Sequence, residues 1–392
     1  MEINKMLNYV CKQILLKIAS RCNINCTYCY WFRDKSVYEK PPILSVDIEN
    51  IFVEKLDEHI KKYALEDFRI IFHGGEPLLF GKQRFFDLCE KIRKIEFTSN
   101  CKITLSITTN GLLIDDDWAA IFKYFGIGVT VSLDGTEEVH NKNRVDFKGM
   151  GTYQKVINAI ELLKQYDVGF GVLCVCLPGS DPEALFNHFL KLDIKNFDVL
   201  IPDFTHEDQN IPSIASYYKK FFDVWYENKY YEEFDIRLLK SFVMGLLGFT
   251  TTSEALGYGP ITTMMMHSDG SLEPLDVLKI TGSGHTKSEV NILEHSIQDI
   301  QKVPLWSEVY EASINLPTVC KNCVLHNACG GGYIPHRWSK ANRYNNPNIY
   351  CDDLKEIFGH IATKISEEIS SEGKIMYLKR ASSTSENALN EK

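Results

Sequence analysis

No stretch of the 392 residues approaches about 18 uninterrupted apolar side chains, so no candidate membrane-spanning helix is present. The N-terminus lacks the basic-then-apolar layout of a secretion signal, which points to a cytoplasmic protein. Basic blocks are missing as well. Lys and Arg number 43 against 52 Asp and Glu, and the formal charge of -9 argues against nucleic acid as a partner, because phosphate binding needs clustered cations. A peptide or small molecule fits better. A hydrophobic share of 44% and a charged share of 24% are ordinary for a globular protein, which excludes wholesale disorder and leaves room for a large domain plus a smaller one. Only residues 381–392 read as a polar, frayed tail.

Cysteine, by contrast, is plentiful: there are 12. Without a secretion signal they are unlike structural disulfides, and metal binding becomes the leading explanation. Seven fall into two groups, Cys22/Cys26/Cys29 and Cys320/Cys323/Cys329/Cys351. The scattered Cys11, Cys89, Cys101, Cys174 and Cys176 read as small buried hydrophobes.

Short β-rich runs at 14–18, 68–72, 103–108, 128–133, 169–176 and 197–201 alternate with segments of helical period. Apolar Ile48, Ile51, Phe52, Leu56 and Ile60 follow a Ser45 N-cap, and similar helices are expected at about 82–95, 115–125, 152–166 and 182–192. That rhythm predicts an α/β fold of six βα units with a parallel sheet. In such barrels the chemistry sits just past the strands' C-terminal ends. Here those positions carry Cys22, then His73-Gly74-Gly75-Glu76-Pro77, then Thr109-Asn110-Gly111, then Asp134-Gly135. After about residue 231 the rhythm stops, and a glycine-bearing segment leads to the second cysteine group.

The spacing of Cys22, Cys26 and Cys29 lets one short loop hold a single cluster with one iron left open, since no fourth cysteine is near. A zinc site is the alternative on spacing alone. Cys320, Cys323, Cys329 and Cys351 supply four thiolates, enough to close either a zinc site or a 4Fe-4S cluster.

Taken together, CNINCTYC at 22–29 and HGGEP at 73–77 closely resemble the radical S-adenosylmethionine superfamily. The resemblance implies a partial (β/α)6 TIM-type barrel, with a 4Fe-4S cluster on the three cysteines and S-adenosylmethionine chelating the open iron. It places Gly74, Gly75 and Glu76 at the methionyl ammonium and Tyr28 against adenine. Thr109, Asn110, Ser132 and Asp134 fall near the ribose hydroxyls, and Arg144 near the methionyl carboxylate. The second group resembles a SPASM extension that commonly carries seven cysteines and two auxiliary clusters. Here Tyr333 and Leu275 stand where further cysteines would be, so one auxiliary 4Fe-4S cluster and two clusters in total are expected.

The stretches CGGGYIPHRWSKANRYNNPNIYCDDL and DGSLEPLDVLK resemble peptide maturases that join an aromatic ring to an unactivated β-carbon, forming three-residue cyclophanes. The implied partners are a precursor peptide with its leader and an electron donor such as flavodoxin or ferredoxin. Asp276 is the candidate base, because it aligns with an acidic residue that the related, similar sulfatase-maturing enzymes use as one. The aromatic run Phe221-Trp225-Tyr226-Tyr230-Tyr231 is a possible wall for a peptide groove, whereas His267, His326 and His336 read as structural. Domain expectations are a barrel over 1–230, a bridging region over 231–310, the auxiliary-cluster domain over 311–370 and a helix end with flexible tail over 371–392. A barrel starting near residue 14 leaves no room for a leader-binding domain before it. Ether or thioether cross-linking, epimerisation and formylglycine formation are the alternative chemistries, and a non-catalytic metal-binding adaptor the alternative class.

Overall fold

A computed structural model describes residues 9–251 and 253–368. The expected tail over 371–392 lies outside them. The described residues divide into two compact units, the first made of the chain up to 133 with 140–172 and 262–309, the second of 134–139, 173–261 and the chain from 310 onward.

The first unit is built on a mostly parallel sheet. Strand β1 (Gln13–Ala19) pairs in parallel with β2 (Asp67–Gly74), β2 with β3 (Lys102–Thr109), and β3 with β4 (Gly128–Ser132). In β2 and β3 buried and less buried residues alternate, as a pleat covered more fully on one face requires. Six consecutive residues of β1 are buried, which places that strand in the interior of the sheet. Helices return the chain between strands. In α1 (Val46–Tyr63) the Ser45 side chain accepts from the Ile48 N–H, and Phe52, Leu56 and Ile60 form the buried face. Helices α2 (Lys82–Ser99), α3 (Asp116–Phe125, capped by Asp115), α4 (Glu137–Asn143) and α5 (Tyr153–Gln165) follow. Strand β5 (Phe170–Val175) begins in this unit and ends in the second, where β6 (Phe197–Leu200) lies. The six expected βα strands are therefore present.

On the far side of β1 the structure adds a hairpin that periodicity did not reveal. Strand β7 (Met264–Met266) runs parallel to β1, and β8 (Leu272–Pro274) pairs antiparallel to β7. Part of the supposed bridging region thus completes the sheet and delivers Asp276, just past β8, beside β1.

The second unit packs helices α6 (Pro182–Lys191), α7 (Ala215–Glu227), α8 (Arg237–Leu246) and α12 (Cys351–Glu368), with two one-turn helices, α10 (Thr318–Lys321) and α11 (His326–Cys329), before α12. Helix α9 (Pro304–Ile314) links the two units in sequence. Phe221 stacks on Phe186 at 5.1 Å, and Phe197, Tyr230 and Phe234 surround the same ring. Phe221 and Trp225 are buried in the aromatic core of this unit, while Tyr226 and Tyr230 are half-buried and Tyr231 is exposed, so the core claims only the first two members of the expected groove wall. All five scattered cysteines are buried, as expected. Among the described residues no helix is long and apolar enough to cross a membrane.

Candidate active site

Backbone approach, before any cofactor is considered, explains the two glycines after β2. The Gly75 N–H donates to the Ala19 carbonyl at 2.9 Å and the Glu76 N–H to the Arg21 carbonyl at 2.8 Å. A Cβ on Gly74 would stand 1.9 Å from the Ala19 oxygen, and one on Gly75 would stand 2.4 Å from the Arg21 oxygen. No side chain fits there. The far side of the cysteine loop is held by Asn25 N–H to the Val145 carbonyl at 2.7 Å and Thr27 N–H to the Asn143 carbonyl at 3.0 Å. The loop carrying Cys22, Cys26 and Cys29 is thus clamped between the end of β2 and the segment after α4. Gly75→Ala should force these backbones apart, with iron bound by the three-cysteine loop falling several-fold in anaerobically reconstituted protein. Unchanged iron content would rule out the clamp.

Glu76 is fully buried and its carboxylate accepts from three donors, the Thr109 hydroxyl at 2.7 Å, the Asn110 N–H at 2.8 Å and the Leu78 N–H at 3.0 Å. Burial outweighs these bonds and pushes its carboxyl up to about 7. The Asn110 side-chain amide donates to Asn23 at 2.7 Å and lies 3.7 Å from the Cys22 sulfur. Asn23, absent from the sequence reading, is therefore what ties β3 to the loop. Arg144 is buried, with Nη1 3.8 Å from the Cys26 sulfur and its guanidinium 5.5 Å from the centre of the half-buried Tyr28 ring. Ser132 is half-buried at the end of β4, and in the second unit buried Asp134 accepts from the Val175 N–H at 3.1 Å.

Asp276 sits in a group the sequence did not announce. The wholly buried Lys17 Nζ lies 2.6 Å from its carboxylate and 3.2 Å from His73 Nδ1, and the Tyr30 hydroxyl donates to the same carboxylate oxygen. Trp31 supplies a ring 4.4 Å from the Lys17 ammonium. Burial alone would raise the Asp276 carboxyl, but the Lys17 charge and these donors hold it at about 2. Burial, with the nearby Lys17 charge, pushes His73 down to about 4. The signal was present in QILLKIA, where one charge interrupts an otherwise apolar strand. A lysine there demands a partner.

The second cysteine group lies wholly in the second unit. Cys320, Cys323, Cys329 and Cys351 line one cavity together with Val319, Leu325 and Leu354. Burial pushes the Cys329 thiol up to about 12, as it does for Cys22, so these sulfurs become thiolates only where a metal supplies the charge. Gly330 has φ 62°, and a Cβ there would stand 1.9 Å from the Gly257 carbonyl oxygen, so the turn after Cys329 closes tightly on its neighbour. In donor chemistry, four thiols round one cavity suit a closed four-thiolate centre and the three in the first loop a three-thiolate one, although among the described residues neither set is drawn together as a formed metal cage. Of the three histidines, His267 lies 3.0 Å from buried Glu273 and His336 3.5 Å from Asp203, whereas His326, 3.2 Å from the Cys320 carbonyl, also lines the cavity of the four cysteines.

Residues 16–192 match the model of the Radical SAM superfamily. A cysteine-type anaerobic sulfatase-maturating enzyme of Clostridium perfringens is 30% identical over 366 residues, covering 88% of this chain and 95% of that protein. A serine-type anaerobic sulfatase-maturating enzyme of Bacteroides thetaiotaomicron is 25% identical, with 88% of each chain covered. Among solved structures, native anSMEcpe with bound AdoMet and Kp18Cys peptide is similar at a TM-score of 0.78 and 27% identity, over 91% of this chain and 98% of that one. Streptococcus suis SuiB bound to precursor peptide SuiA shares the fold, with a TM-score of 0.62 at 15% identity over 89% of this chain and 78% of that one.

Proposed function

The chain belongs to the radical SAM superfamily and is an enzyme of it, and from that premise we propose that it modifies a ribosomally made precursor peptide by joining an aromatic ring to the β-carbon of a nearby residue. When bound, the three-cysteine cluster with S-adenosylmethionine supplies a 5'-deoxyadenosyl radical, and the four-cysteine cluster supplies a one-electron acceptor. The peptide loses one hydrogen atom from the β-carbon, then one electron and one proton as the ring regains aromaticity, two hydrogens in all for each cross-link.

The chain's own groups suit these tasks. Glu76, destabilised as an anion by burial, gains strongly from a cation such as the methionyl ammonium. Arg144 beside Cys26 and Tyr28 offers its charge to a carboxylate in the same place. Asp276 stays ionised at working pH and so is always in the accepting form. Its low proton affinity suffices here, because the proton shed on rearomatisation is strongly acidic. The observation that carries the reading is the second cysteine group, four thiolates round one cavity with Leu275 and Tyr333 where the fuller SPASM pattern would have more.

Formylglycine formation is the second reading, favoured by the sulfatase-maturating relative at 30% identity. Mass spectrometry of a co-expressed precursor separates the two. The cyclophane reading expects a loss of two hydrogens per link, no reaction with an aldehyde probe, and a ring that resists fragmentation between the joined residues. An aldehyde-reactive product supports formylglycine, and a product of unchanged mass rejects both in favour of epimerisation. Iron counting tests the cofactor content independently. About eight irons per chain are expected from two 4Fe-4S clusters, and about twelve would show a third.

A further inference from the structure

Arg337 is fully buried, yet among the described residues no carboxylate lies within ion-pair distance of it. Every acceptor it has is a backbone carbonyl: Tyr344 at 3.0 Å from Nε and 2.7 Å from Nη2, Asn346 at 3.2 Å from Nε, and Ala312 at 2.8 Å from Nη1. Carbonyl dipoles solvate a guanidinium, but they do not neutralise it, and a buried cation without a counter-charge is unfavourable. Burial accordingly pushes its pKa down to about 10, and the groups that oppose this are Cys320 and Cys329. Geometry agrees. Nη1 lies 3.5 Å from where a Cβ on Gly331 would stand, and Gly331 lines the cavity shared by the four cysteines. The guanidinium is therefore fixed behind one wall of that cavity.

We propose that Arg337 is the built-in counter-charge of the cluster held by Cys320, Cys323, Cys329 and Cys351, and that it raises that cluster's reduction potential so that the centre accepts an electron. This rests on the cluster assignment given above. A four-thiolate 4Fe-4S centre is anionic, and taking up one electron makes it more so. A fixed cation in a water-poor setting favours the more negative state, which shifts the potential upward. Lys355 also borders the cavity but is exposed, so solvent and salt screen its charge. Arg337 is thus a positioning residue for charge, acting through the cluster and touching no substrate.

The test uses the full chain carrying Cys22→Ala, Cys26→Ala and Cys29→Ala, so that only the four-cysteine centre is loaded. Its midpoint potential is followed by electron paramagnetic resonance during a redox titration, with Arg337, Arg337→Lys and Arg337→Gln compared at equal iron content. The Gln variant is expected to shift to a more negative midpoint, with the Lys variant close to the parent. An unchanged Gln midpoint, or equal shifts for Lys and Gln, overturns the proposal. Should the Gln variant not fold, the Lys variant decides: a parent-like midpoint supports the counter-charge, and a large negative shift despite the retained charge refutes it. Iron absent from the Arg337 parent itself would instead remove the cluster assignment, and this inference with it.

Discussion

Cys26→Ala abolishes reductive cleavage of S-adenosylmethionine: 5'-deoxyadenosine falls below detection, and iron drops from about eight to about four per chain. The expectation follows from how few ligands the loop has. Three thiolates with one open iron leave no spare, and the sequence offers no fourth cysteine nearby. Two thiolates hold a cubane poorly. The fold itself should survive, because the loop is fastened mainly through backbone bonds at Gly75, Glu76, Asn25 and Thr27, with the Cys26 sulfur contributing one long contact to Arg144. Thermal unfolding of the metal-free variant should accordingly match that of the metal-free parent. Cys89→Ala is the control. That cysteine is fully buried in α2, away from either group, so its loss removes packing and leaves iron and deoxyadenosine unchanged. Were the Cys26 variant to keep producing 5'-deoxyadenosine, the loop would not be the radical-generating site. A parent that produced none would instead revive the non-catalytic adaptor.

Much of the site was legible because each of its parts is local in sequence. Cys22 to Cys29 and His73 to Pro77 lie within two turns, and the six strands announce themselves by runs of β-branched and aromatic residues that the sheet then uses. What escaped was non-local. Strands β7 and β8 are three residues each, too short to show a period, and only the fold reveals that Met264–Met266 lies beside β1. Asp276 was therefore read as a base without its partner, since Lys17 stands 259 positions away. The same limit affects Phe221, Trp225 and Tyr226, whose spacing on α7 suits a core face as well as a groove. Composition cannot separate the two. The rings of Phe186 and Phe197, more than 20 positions away, decide for the core at Phe221.

Lys17→Met is the second change with a large expected effect, and it acts on stability before it acts on catalysis. Removing one member of a buried ion pair leaves the other uncompensated, which typically costs about 3–5 kcal/mol. The survivor here is the Asp276 carboxylate, buried and left with the Tyr30 hydroxyl as its remaining donor from the group. In the parent its pKa is held at about 2, below the ordinary aspartate value of about 3.9. The pairing therefore stabilises the fold fully above about pH 4, and that contribution is lost as pH falls toward 2. Without Lys17 the burial effect is opposed only by the Tyr30 hydroxyl and nearby His73, and the carboxyl is expected to rise above its unfolded value. The dependence then reverses, and the variant loses stability as pH rises. Denaturant unfolding of metal-free protein between pH 4 and pH 7 should show this: the variant weakens with rising pH over a range where this pair leaves the parent level. Lys17→Met combined with Asp276→Asn removes both charges and should recover most of the loss, because a neutral amide is far less costly to bury. If the single variant unfolds within about 1 kcal/mol of the parent with an unchanged pH profile, the pair is screened and the contact of Lys17 with Asp276 is not what holds the segment after β8 to β1.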